Sequence, residues 1–142
     1  SVHFSKSDTV DWSLPENQDR ISDNVWITRC DRWPIFNAYS QNCDGSDGPD
    51  GTEWAIGSID QLDSLEFEPF KWALDNSIGN IINDDLIPNN QPMVLHLIDD
   101  DLYLEVQFHS WTTGGNGGGF SSSPGSSVQW PWISCRDGAR AQ

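Results

Sequence analysis

The chain has 142 residues, enough for one domain that buries a core without covalent staples. Hydrophobic residues make up only 36% of it, yet eight Trp, six Phe and two Tyr supply large buried areas per side chain, which excludes a disordered chain. A formal net charge of −15, from 22 acidic and 7 basic residues, repels phosphate backbones and anionic membrane surfaces, so nucleic acid is excluded as a partner; cations, neutral glycans or a positively charged protein remain.

In chain order, residues 1–14 (SVHFSKSDTVDWSL) begin with a short alternation in which Val2 and Phe4 face one way, and they predict an arm or an edge strand. Residues 15–24 (PENQDRISDN) are polar and turn-forming. Strand composition returns at 25–29 (VWITR) and again at 34–39 (PIFNAY), with Pro34 at the start, where a missing donor costs least. Residues 41–51 (QNCDGSDGPDG) carry repeated Asp-Gly turn signals and form a loop. Strands are predicted over 53–57 (EWAIG) and 64–68 (SLEFE), the latter alternating Leu65 and Phe67 with glutamates. The one helix expected lies over 69–75 (PFKWALD), at most two turns long, with Pro in the first turn and Phe70, Ala73 and Leu74 on one face. Residues 76–91 are Asn-rich and irregular, pinned to the core by Ile78, Ile81 and Ile82.

The strongest period-2 pattern follows. Residues 93–97 and 102–111 are two apolar runs joined by a short link holding Asp99, Asp100 and Asp101, which predicts a hairpin. In the second run Leu102, Leu104, Val106 and Phe108 share one face, with Tyr103, Glu105, Gln107, His109 and Trp111 on the other. The glycine-rich 112–119 is a turn. Residues 121–142 read as a Ser/Gly/Trp-rich C-terminal extension packed on the core or on a neighbouring subunit, leaving 15–120 as the core unit. The expectation is all-β: an antiparallel β-sandwich or jelly roll with at most one short helix.

No run of about 18 apolar residues exists, so membrane insertion is not expected. A start at Ser1 without a basic, apolar leader reads as a mature secreted product. Cys30 and Cys43 flank a turn-rich segment and are expected to form a disulfide, with Cys135 left over; pairing of Cys135 with either remains open.

The stretches NQDRI (17–21), NVWITR (24–29), IFNA (35–38), TEWA (52–55), VLHL (94–97), DDLYLEVQF (100–108), SW (110–111) and GGGF (117–120) together resemble a family of small secreted bacterial β-domains with no assigned activity. The resemblance covers about residues 4–120 and implies a secreted bacterial origin; it transfers no catalytic residue. Family members continue GGGF with a short SY-x-R strand, whereas here 121–142 departs from that pattern, and Cys30 and Cys43 are not part of it.

Two carboxylate groups are candidate calcium ligands: Asp44, Asp47 and Asp50 in the glycine-rich loop, and Asp99, Asp100 and Asp101 in the hairpin link. The competing reading for both is a solvated acidic turn. His96 and His109 with Glu105 are weighed as an acid/base or metal group, against ordinary surface side chains. No nucleophile elbow, zinc-protease or phosphate-loop motif is present. The features predict a non-enzymatic structural protein, secreted or at the cell surface. It would be a subunit of a filament or surface assembly, joined to copies of itself through strand edges and termini, with Val2, Phe4, Tyr103, Trp111, Trp130 and Trp132 as contacts. The alternative is a carbohydrate-binding or adhesive module, with glycans as partners and calcium as its one candidate cofactor.

Overall fold

In a computed structural model, residues 3–82, 91–129 and 133–135 are described, the last three by backbone alone. They form an antiparallel β-sandwich. The larger sheet contains β1 (Phe4–Lys6), β5 (Thr52–Ile56), β6 (Met93–Leu97), β7 (Leu102–Trp111), β8 (Phe120–Gln129) and β9 (Ile133–Cys135), and the smaller contains β2 (Asp19–Ser22), β3 (Val25–Thr28) and β4 (Phe36–Asn37). The large sheet runs β1-β8-β7-β6-β5, with β9 on β8, and the small sheet runs β2-β3-β4. Strands β5 to β8 thus lie side by side in chain order, β5 joined to β6 by the long segment 57–92 and β6-β7-β8 by short turns, and this sandwich is built on that run. Because β7 occupies one edge of β8 along its length, β1 and β9 share the other, β1 at Phe120 to Ser122 and β9 at Ser127 to Gln129.

The expected hairpin is the centre of the sheet, with Leu95 opposite Leu104 and His96 opposite Tyr103. All five residues of β6 are buried, because both of its faces are covered. On the inner face Trp54, Leu95, Val106 and Phe108 meet Val25, Ile27 and Ile35 from the small-sheet side, closed at one end by Phe70 and Leu74 around the helix α1 (Phe70–Ala73). Burying each such side chain contributes roughly 1.5–3 kcal/mol. On the outer face Phe67 packs edge-on against His96 and Tyr103.

Four expectations are corrected. Residues 64–68 do not form a strand. Ser58 N donates to Gln61 Oε1 at 2.9 Å, a side-chain bond that starts a 3₁₀ turn over Ile59–Ser64, and only a single bridge joins Trp54 to Glu68 afterwards. The polar stretch 15–24 contains β2, held by pairing to β3 and not by apolar composition. The strand expected at 34–39 shrinks to Phe36–Asn37, because Asn37 turns its side chain to the backbone of Asn24, Trp26 and Asp50. The boundary at residue 120 falls at the start of β8: residues 121–129 are an integral strand paired along β7, with Pro124 and Gly125 beside a bulge opposite Glu105, where a strand tolerates them.

Candidate functional site: two poles of the sandwich

β7 runs ten residues, ~30 Å at the usual rise, from the Asp99–Asp101 turn at one end to the glycine turn at the other. Side chains of opposite character collect at these two ends. At the glycine-turn end lie Lys6, Arg29, Arg32 and Lys71, all the described cations except Arg20. Three of them, Arg29, Arg32 and Lys71, line a pocket of about 240 Å³ whose floor includes Phe70, Leu74 and Trp111.

Arg29 anchors this pocket. It is 2% exposed, its Nε donates to Trp33 O at 2.8 Å, and its Nη1 donates to Thr112 O at 2.7 Å and Gly119 O at 3.2 Å. The guanidinium lies 3.9 Å over the Trp111 ring. Burial pushes its pKa down to about 10, so it stays charged at neutral pH. Among the described residues no carboxylate lies within ion-pair distance of it. Its hydrogen bonds all go to carbonyls, and Asp8, close enough to raise its pKa, offsets only part of its charge; a guanidinium fork suits a carboxylate. Lys71 has a loose, exposed contact with Asp47 at 4.0 Å. The turn that closes the pocket needs glycine: Gly118 has φ +70°, and a Cβ there would collide with the Cys30 carbonyl.

The opposite end is acidic. Asp23 and Asp100 share a shallow recess with Tyr39 and Asn24, and Asn24 Nδ2 donates to Asp99 Oδ2 at 3.2 Å. Asp101 and Glu53 flank His96, whose Nε2 and Nδ1 lie 2.8 and 2.9 Å from Asp101 Oδ1 and Glu53 Oε2. Tyr103 stacks on the His96 ring at 4.0 Å with planes 2° apart. Burial raises the Tyr103 pKa, and Asp101 and Glu53 raise it further. Both imidazole nitrogens are committed, so the cluster braces the turn.

The expected contacts and ligands are placed as follows. Cys30 and Cys43 form the disulfide. The six aspartates do not converge: among the described residues no group of three or more His, Cys, Asp or Glu is arranged to hold a metal ion. Asp44 accepts from Ser46 N, Asp50 from Ser40 Oγ, and Asp47 approaches Lys71. Asp100 accepts from Gln129 through its backbone carbonyl. His96, His109 and Glu105 do not meet either. His109 stacks on His3 and bonds Ser123 Oγ at 2.6 Å, and Glu105 accepts from Ile59 N. Phe4 packs on Phe120 and the core, and Tyr103 is spent on His96 and Phe67. Trp111 packs among Phe70, Phe108 and Phe120, on the inner face and not the outer one. Val2, Trp130 and Trp132 lie outside the described residues, and of Cys135 only the backbone is described.

Sequence reasoning missed Arg29, Arg32 and Lys71. Their scarcity was the available signal: in a chain with 7 basic residues, each invites a question that 22 acidic ones do not. No family model matches the chain, and no curated protein or solved structure is similar to it.

Proposed function

We propose that this chain is a secreted, non-enzymatic structural subunit that assembles head to tail, the acidic pole of one copy seated in the basic pocket of the next. The observation that carries the reading is that unsatisfied surface segregates by pole. Among the described residues, four of the five exposed large hydrophobic side chains are Tyr39 (55%) and Ile98 (46%) beside the acidic turn, and Trp33 (44%) and Trp72 (47%), sequence neighbours of Arg32 and Lys71. Exposed ion pairs alone contribute ~0–1 kcal/mol each, too little to hold an assembly. Aromatic anchors beside arginine supply the rest, as in interface hot spots. A contact between two different patches does not close on itself unless the rotation permits, and so builds an open filament. Copies of the chain suit a −15 surface with one cationic pocket, and the internal disulfide fits an oxidising compartment.

The test is charge reversal. Wild type is expected to form polymers visible by electron microscopy. R32E/K71E and D99K/D100K should each stay monomeric in sedimentation, and a one-to-one mixture should restore polymers of alternating variants, since both mixed contacts again join opposite charges. Polymers that survive both reversals overturn the reading. The carbohydrate alternative keeps one supporting observation, the half-exposed indoles of Trp33 and Trp72. Glycan-array binding lost in W33A/W72A, without self-association, would favour it.

A further inference from the structure

Independently of the poles, the two sheets leave a cavity of about 270 Å³ between their edges. Its walls are Ile21 and Ile27 from the small sheet and Trp54, Leu104, Phe108 and Phe120 from the large one, with His3, Ser122 and Ser123 among the remaining lining residues. Among the described lining residues, Asp19 is the one carboxylate in this apolar space. Asp19 stands opposite Ile27 in the β2–β3 pair, so both side chains leave the same face of the small sheet, toward the core. Arg20, its neighbour, is occupied elsewhere, donating to Gln18 Oε1 and lying 3.7 Å over Trp26. Burial raises the Asp19 pKa, and among the described residues no hydrogen bond or opposing charge lowers it. Asp19 is half-buried, so its carboxylate keeps contact with solvent at the mouth of the cavity while its charge faces the apolar space.

We propose that this cavity binds a small amphiphilic amine, its ammonium group on the Asp19 carboxylate and its apolar body between the sheets. The size fits, since an apolar cavity of about 150 Å³ already holds benzene. The chemistry is selective. Calcium needs roughly six to eight oxygens, which one carboxylate and two serine hydroxyls do not supply. A fatty acid of the same length brings a second negative charge against Asp19. A sugar would strand its hydroxyls against the Phe and Leu walls. An ammonium supplies a counter-charge through a charge-assisted hydrogen bond, while the aromatic and aliphatic walls take its apolar body.

The experiment titrates the full chain with hexylamine, 1-hexanol and hexanoate, read by calorimetry and thermal shift. Hexylamine should bind at least about tenfold more tightly than 1-hexanol, and hexanoate not at all. Asp19→Asn, which removes a charge that has no partner, should fold normally and bring hexylamine down to the level of the alcohol. Leu104→Trp fills the cavity and should abolish binding of both; if it does not fold, Asp19→Asn decides alone. Equal affinity for amine and alcohol in the wild type overturns the proposal. So does amine binding unchanged by Asp19→Asn, which would mean adsorption to the acidic surface.

Discussion

The glycine turn at the basic pole is held by single side chains reaching across the chain. Asp8 Oδ1 accepts from Gly119 N at 2.9 Å, and Lys6 Nζ donates to Gly118 O at 3.3 Å. Hydrogen bonds from Thr112 and from the Gly119 amide draw the Asp8 pKa below its ordinary 3.8. A carboxyl with a depressed folded pKa contributes stability that is complete above the unfolded value and lost as pH falls through the folded one. The Gly119 amide resonance should therefore titrate with a midpoint below 3.8, and Asp8→Asn should remove that titration while neutral-pH spectra elsewhere stay unchanged. A midpoint at or above the ordinary value would mean the bond is not formed in solution.

Among the elements, β7 shows how one residue changes a face. Strict alternation puts Phe108 inside and Trp111 outside. The pairing of Phe108 with Ser122 and of Ser110 with Ser121 leaves His109 as an extra residue in a bulge, and the bulge turns Trp111 back to the inner side. Two deletions that look alike on paper should then behave differently. Removing His109 leaves Phe108 and Trp111 both inward and loses only the Ser123 bond and the His3 stack, at a cost of about 1 kcal/mol. Removing Gln107 moves Phe108, which is 2% exposed, to the outer face and should cost about 3 kcal/mol. Urea midpoints of the two variants check this, and equal losses would mean the bulge does not set the register.

At the scale of the whole molecule, a body of charge −15 must approach its own copies against repulsion. That repulsion acts over the Debye length, about 10 Å at 0.1 M salt, whereas contact between poles acts at a few ångströms. Polymerisation should therefore rise from low salt to roughly 0.1–0.2 M as repulsion is screened, then fall toward 1 M as the pole contacts weaken. Light scattering across a salt series reads this directly. A monotonic increase would point to apolar association without the charged poles.

The alternation of residues 93–97 and 102–111, the turn residues between them, and the series of short strand-like segments separated by turns sufficed to read an antiparallel sandwich and its central hairpin. Those signals are local, because a side-chain period of two and a short polar link constrain only neighbours in the chain. Residues 19–22 and 121–129 were not legible as strands, since Asp, Arg, Ser, Pro and Gly there are held by pairing to β3 and β7 and not by their own propensity. The bulge at His109 left no mark in composition, so Trp111 was placed on the wrong face. Arg29, Arg32 and Lys71 are up to 42 residues apart in sequence and met only when β3, α1 and the glycine turn came to one end of the sheets. The chain by itself determined which segments can pair; the tertiary structure alone decided which charges face each other, because that depends on long-range closure that no local pattern encodes.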